Sequence, residues 1–310
     1  MEHILVTGAL GFIGSAYIRA HGGKGLVALA RRTNERNAER LEALDVPTYT
    51  LDLARDDLSD VMNEVETVVH LAAKTFVDRS ITDPMPFFES NVLATFRLLE
   101  AMRRSRTVRK LLYFTTDEEY GAILKGAYKE DARINPSNPY AATKAAGTAL
   151  ALSYVNTYGL DIVISRCENV YGPYQGPEKV LPTFTRKALA DEPLPVYGDG
   201  HHRRQWIHVH DVCRAIDHLL SVGEGGEIYH IAGHQELENL ELAEMVLRVL
   251  EKPLDRIQMI PDHNLRPGHD RRYALDTTKI RASGWAPAIP VEEGMAQVVR
   301  WYANNRWWTG

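Results

Sequence analysis

Two cysteines, Cys167 and Cys213, are all that a chain of 310 residues contains. So few exclude a disulfide framework and a cysteine-ligated metal site, and they fit a reducing compartment. No apolar run reaches the roughly 18 residues of a membrane-spanning helix. A cationic surplus is missing too: 36 Lys and Arg stand against 41 Asp and Glu, a formal net charge of −5. Bulk positive charge is therefore no reason to expect nucleic acid or an acidic membrane as a partner. The opening Met1-Glu2-His3-Ile4-Leu5-Val6 lacks the basic stretch and cleavage pattern of a signal peptide, so a cytoplasmic location is expected. Repeats and low-complexity segments are absent.

What remains is an ordinary globular composition, 45% hydrophobic and 25% charged, long enough for about two domains. In the first half, short apolar runs alternate with amphipathic stretches. The runs are Ile4–Val6, Leu26–Leu29, Thr48–Leu51, Val68–Leu71, Leu111–Phe114 and Ile162–Ile164, with helical spacing over Ser90–Arg104 and Asn138–Tyr158. This pattern predicts an α/β fold, a doubly wound parallel sheet of the Rossmann type with a smaller C-terminal lobe. Proline and glycine become dense after residue 170, and helical stretches follow at Val212–Leu220 and Glu238–Leu250. We therefore expect a dinucleotide-binding domain over 1–168, rejoined by 205–235, and a substrate lobe from 169–204 and 236–310. The terminal Trp301, Tyr302, Trp307 and Trp308 read as packing residues.

Thr7-Gly8-Ala9-Leu10-Gly11-Phe12-Ile13-Gly14 follows the first strand directly and opens a helix. Glycines there allow a tight turn and bring backbone N–H groups close to a pyrophosphate, whose charge the helix N-terminus favours. The expected dinucleotide contacts are Gly8, Gly11, Phe12, Ile13 and Gly14, then Asp52 and Leu53, then Leu71, Ala72 and Ala73. After the second strand stand Arg31 and Arg32, where a carboxylate would hold a ribose 2′-OH. Their charge suits a 2′-phosphate, so NADP is expected, with NAD the alternative. Arg36 and Arg40 follow closely, and a solvated basic loop is the plainer reading of this stretch.

Tyr140-Ala141-Ala142-Thr143-Lys144 sets a phenol and an ammonium one helical turn apart, behind the helix-start signal Asn138-Pro139. A nearby lysine and a nicotinamide cation favour the phenolate, so Tyr140 can take a proton from a hydroxyl, using Lys144 as support. Thr116-Asp117-Glu118-Glu119 lies just past a predicted strand end, where open α/β sheets bind ligands.

With these motifs on the page, the chain resembles the extended short-chain dehydrogenase/reductases, and among them the nucleotide-sugar dehydratases of the dTDP-glucose 4,6-dehydratase group. The likeness also runs through Val77–Ile81, Asn169–Tyr174, Pro177–Lys179, Leu194–Gly200 and Arg266–Tyr273. It implies internal hydride transfer with a recycled, tightly bound cofactor and no metal. It further implies Tyr140, Lys144 and Thr116 acting at the sugar 4-OH, Glu118 as base at C5 and Asp117 as acid at the 6-OH. By the same likeness, Asn169, Glu178 and Lys179 lie near sugar or diphosphate, Pro195 and Tyr197 near the base, and Arg204, Asn239 and Arg266 near the phosphates, with His269 a further substrate-binding residue. Epimerases and decarboxylases of the superfamily commonly lack the Asp-Glu pair and are the alternative. Relatives of this group pair as homodimers through two long helices, for which Ala145, Ala149, Leu152 and Val155 are available. His208 and His210 would share one face of a strand, but no metal is expected there.

Overall fold

The computed structural model describes residues 3–31, 39–41, 44–261 and 270–309. Arg32, Arg266 and His269 lie outside the described residues.

Seven parallel strands form the main sheet: β1 (Ile4–Thr7), β2 (Leu26–Ala30), β3 (Thr48–Thr50), β4 (Thr67–His70), β5 (Lys110–Thr116), β6 (Asp161–Cys167) and, from much later in the chain, β10 (Ile228–Ile231). Their order is β10-β6-β5-β4-β1-β2-β3. Strand residues such as Leu5, Val68, Leu111 and Ile164 are wholly buried because helices cover both faces. Chain order reverses between β1 and β4, and a crevice opens there above the carboxyl ends of the strands. A polar tie closes the floor of that crevice. Thr7 Oγ1 is 2.7 Å from His70 Nδ1 and accepts from the Leu71 and Ala72 amides, while His70 Nε2 lies 3.1 Å from Thr95 Oγ1. Burial pushes His70 down to about 3, which keeps the ring neutral.

The second lobe is built on β7 (Asn169–Tyr171), β8 (Leu194–Tyr197), β9 (Arg203–His208), β11 (Glu236–Glu238) and β12 (Ile257–Ile260). β9 lies between β11 and β7, and β8 pairs with β12. Seven helices matter for the site: α1 (Phe12–Ala20), α2 (Ala94–Arg104), α3 (Pro139–Tyr158), α4 (Val180–Leu189), α5 (Val209–Val222), α6 (Asn239–Val249) and α7 (Val291–Asn304). α4, α6 and α7 enclose the lobe's own core around Leu181, Phe184, Leu242, Met295 and Tyr302. Trp308 is fully buried in it, whereas Trp307 is 53% exposed, so the terminal aromatics divide between core and surface.

Two expectations change. The helix expected over Ser90–Arg104 starts as a π-helical turn, Glu89–Leu93, before α2. The extra residue per turn carries Asn91 inward, where its Oδ1 accepts from the Lys74 amide (2.8 Å) and its Nδ2 donates to the Lys74 carbonyl and to Thr143 Oγ1 (both 3.0 Å). Arg40, read as part of a solvated basic loop, is buried. Its guanidinium donates to the Leu10 carbonyl of the glycine-rich turn (2.7 Å) and to the Tyr174 carbonyl of the second lobe (3.0 Å), and it stacks over Trp308. Backbone carbonyls can be satisfied by a cation from another segment, a pattern that hydropathy does not reveal.

Because Arg40 satisfies buried carbonyls on both lobes, Arg40→Ala should lower stability to urea by about 2–4 kcal/mol. Arg40→Lys should recover less than half of the loss, since one ammonium cannot span both acceptors.

Candidate active site

At the crevice the glycine turn is dictated by contact. Gly8 has φ of +68°, and a Cβ on it would sit 2.8 Å from Ala72 backbone atoms. A Cβ on Gly14 would overlap the Gly8 carbonyl oxygen, so α1 can approach β1 only through glycine. The first-turn amides of α1, Phe12, Ile13 and Gly14, have no intrahelical carbonyl to bond. Beside them lies a cavity lined by Gly8, Gly11, Arg31, Asp52, Leu53, Ala72 and Ala73, with Leu29 and Leu51 as further apolar wall. Bare backbone for a diphosphate and an apolar slot for a base fit the adenosine half of a dinucleotide. Arg31 Nη1 stands 3.9 Å from Asp52 Oδ2. The Phe12 side chain packs against the main core, facing Gly172.

Ala73 continues the lining into a second cavity, walled by Ile13, Leu71, Thr116, Asp117, Glu118, Tyr140, Lys144 and Asn169. The five residues expected to carry chemistry are therefore gathered in one place. Asn138 explains much of this. Its Oδ1 accepts from the Ala141 amide (2.9 Å) as the N-cap of α3, and its Nδ2 donates to Glu118 Oε2 (3.2 Å). One side chain thus starts the helix of Tyr140 and Lys144 and holds the carboxylate opposite them. Thr116 ends β5 and caps the 3₁₀ turn Asp117–Tyr120 by accepting from the Glu118 amide, on the same cavity wall as Tyr140.

The electrostatics separate the two carboxyls. Asp117 is buried, and burial, with the Glu118 charge second, raises it to about 7. Its Oδ1 accepts from Thr116 Oγ1 (3.1 Å), while Oδ2 has no partner among the described residues. Glu118 is only half-buried. In the protein alone, burial, then the Glu118 and Asp117 charges, push Tyr140 well above 10; the phenolate expected at this position draws on a nicotinamide cation as well as on Lys144. Lys144 Nζ donates to the Phe114 carbonyl (2.9 Å) and lies 4.6 Å over the Tyr113 ring. Burial lowers Lys144 to about 8.

Glu118, Asn169 and Lys179 also border a third cavity, which runs into the second lobe along Glu178, Pro195, Tyr197, Arg204 and Asn239. Every described residue expected near the nucleotide is on its wall. Arg204 is fixed by donating to the Asp270 carbonyl (2.8 Å) and stacking over Tyr273. Thr75, Trp206 and Tyr273 also line the groove; none was named as a site residue, although Tyr273 closes the Arg266–Tyr273 stretch of the family likeness. Glu168 was also missed: a buried carboxyl on the second cavity, raised by burial and by Asp117, whose Oε1 accepts from the Leu275 amide (3.0 Å). The two histidines do not share a strand face. His208 ends β9 and N-caps α5, its Nδ1 accepting from the amide of His210, which lies inside that helix.

The sequence profile of the NAD dependent epimerase/dehydratase family matches residues 4–232. The dTDP-glucose 4,6-dehydratase of Streptomyces niveus is 45% identical, over 98% of this chain and 94% of its own length. DesIV, a dTDP-glucose 4,6-dehydratase of Streptomyces venezuelae solved with NAD bound, superposes with a TM-score of 0.91 at 38% identity, covering 99% of this chain and 98% of that one. A UDP-glucuronic acid 4-epimerase of Bacillus cereus, solved with UDP-glucuronic acid and NAD, gives 0.90 at 26% identity, over 97% and 99% of the two chains. By its glycine turn, its full-length relatives and its sheet, this chain belongs to the NAD dependent epimerase/dehydratase family.

Proposed function

We propose that the protein is a nucleotide-sugar 4,6-dehydratase, converting an NDP-hexose of the dTDP-glucose type to the 4-keto-6-deoxy sugar. The observation that carries this reading is the placement of Asp117 and Glu118 on the same cavity wall as Tyr140. A 4-epimerase needs only the oxidation half of that set. A bound nicotinamide supplies the acceptor for the C4 hydride and its donor to C6, and its positive charge favours the Tyr140 phenolate. Tyr140, aided by Thr116 and Lys144, takes the 4-OH proton. The resulting ketone makes the C5 hydrogen acidic, and Glu118 removes it. Asp117, neutral because it is buried, gives its proton to the departing 6-hydroxyl, which leaves as water; a proton then returns to C5. Arg204, Lys179 and Asn239 hold the diphosphate end, and Pro195 and Tyr197 flank the base.

For the cofactor, Arg31 supports NADP and the NAD-bound relatives support NAD; the nucleotide released on denaturation, identified by mass spectrometry, decides between them. We also propose a homodimer through α2 and α3, acting in the cytoplasm. Phe96 on α2 is 42% exposed, and Leu152 and Val155 on α3 are only partly buried.

Incubation with a panel of NDP-hexoses should yield a 4-ketone lacking one water, with no net reduction of the nicotinamide. Asp117→Asn and Glu118→Gln should each slow elimination by about 10²–10⁴-fold while sparing C4 oxidation far more. Absence of ketone from every NDP-hexose would falsify the dehydratase reading.

Asp117 titrates near 7 in the fold and near 4 when unfolded, so the folded form keeps a proton that the unfolded chain gives up in that window. Its burial therefore costs stability increasingly as pH rises from about 4 to 7. Asp117→Asn should match the parent at pH 4 and exceed it by roughly 1–3 kcal/mol at pH 8 in urea unfolding. Single-turnover elimination by the parent should fall as pH rises above about 7, as the acid is lost.

A further inference from the structure

The residue after the Asp117–Glu118 pair has no part in the proposed chemistry, yet it is the most enclosed carboxyl of the region. Glu119 is fully buried. Its Oε1 accepts from Thr148 Oγ1 (2.7 Å), one turn beyond Lys144 on α3, and from Thr115 Oγ1 on β5. Its Oε2 accepts from Arg166 Nε (2.8 Å) on β6, where Arg166 stands in register with Thr115. Arg166 also donates to the Tyr120 hydroxyl at the end of the same turn. One carboxylate thereby joins the 3₁₀ turn, the helix and two strands.

We propose that Glu119 is a positioning residue, whose buried carboxylate locks the Asp117–Glu118 turn against α3 and holds a negative charge one helical turn from Lys144. This rests on the reading in which Lys144 supports proton removal by Tyr140. The groups facing Lys144 are few. On its own helix is Tyr140; β5 presents the Tyr113 ring and the Phe114 carbonyl; β4 presents His70, which is neutral. The turn contributes Asp117, Glu118 and Glu119; β6 contributes Cys167 and, as the partner of Glu119, Arg166; and Glu168, just past β6, stands on the same cavity wall as Lys144. Burial pulls Lys144 down to about 8, and the Glu119 charge is the influence that opposes it. An amine so placed loses its proton in the working range once that charge is removed.

The test follows the Lys144 side chain directly, by NMR titration of the dinucleotide-bound protein carrying labelled lysine. Glu119→Gln should move its titration to lower pH by about one unit or more, a tenfold change in acidity. Glu119→Asp, which keeps the charge, should restore most of it. Glu119→Gln strands a buried guanidinium, so the double variant Glu119→Gln/Arg166→Met is made alongside, since replacing both partners of a buried pair is better tolerated than removing one. It should also shift downward, by less than Glu119→Gln alone, because a positive charge leaves together with the negative one. In turnover, the alkaline limb of kcat should move the same way with KM for the sugar unchanged. A Lys144 titration unmoved in the variants that fold, or not restored by Glu119→Asp, overturns the proposal. The titration needs no substrate, so a shift without turnover of any NDP-hexose refutes the dehydratase reading and leaves this one standing.

Discussion

Enclosure of the Asp117 carboxyl between the end of β5 and the helix of Tyr140 is the constraint on which the rest of the site depends. A carboxyl in water is ionised at neutral pH and can only accept protons. Withdrawn from water and set beside the half-buried Glu118, Asp117 is raised to about 7 and can donate one. Two adjacent residues of nearly identical chemistry thus acquire opposite tasks from their surroundings alone. The same enclosure raises Tyr140 and lowers Lys144, so the pocket alone disfavours the charged forms of both. A cationic ring entering beside them supplies the charge that enclosure removes, which couples proton abstraction to the presence of the oxidised cofactor.

The scaffold achieves this with few polar devices. Asn138 is both cap and carboxylate donor; Thr7 and His70 fasten the crevice floor at the point where chain order reverses; Asn91, pushed inward by a π-helical turn, pins Lys74 against α3. Arg40 ties the glycine turn to the second lobe. Each bond is worth about 1 kcal/mol net. Leaving any one of their buried partners unsatisfied costs more, and this is how such small ties hold two lobes in register.

Strand and helix periodicity, the glycine turn and the Tyr140–Lys144 spacing made the sheet and its crevice legible in the sequence, because they reflect local geometry. The Asp117–Glu118 pair was legible through its position at a strand end. Less visible were groups whose role depends on partners from other elements: Asn91, Arg40, Glu119 and Glu168 have no local signature, and each has a partner on an element that the sequence does not mark as its neighbour. His208 and His210 failed for a different reason. β9 ends at His208 and the chain turns into α5 at Val209, so His210 is helical and strand spacing does not reach it.

The central claim is that oxidation at C4 and elimination across C5 and C6 occur at one enclosed site. Isotope tracing tests it most directly. An NDP-hexose deuterated at C4 is converted in ordinary water, and the unlabelled sugar in heavy water, and both products are read by NMR. The account predicts the C4 deuterium at C6 of the product in the first case, and one solvent deuterium at C5 in the second. Deuterium retained at C4, or lost to the medium, would contradict it.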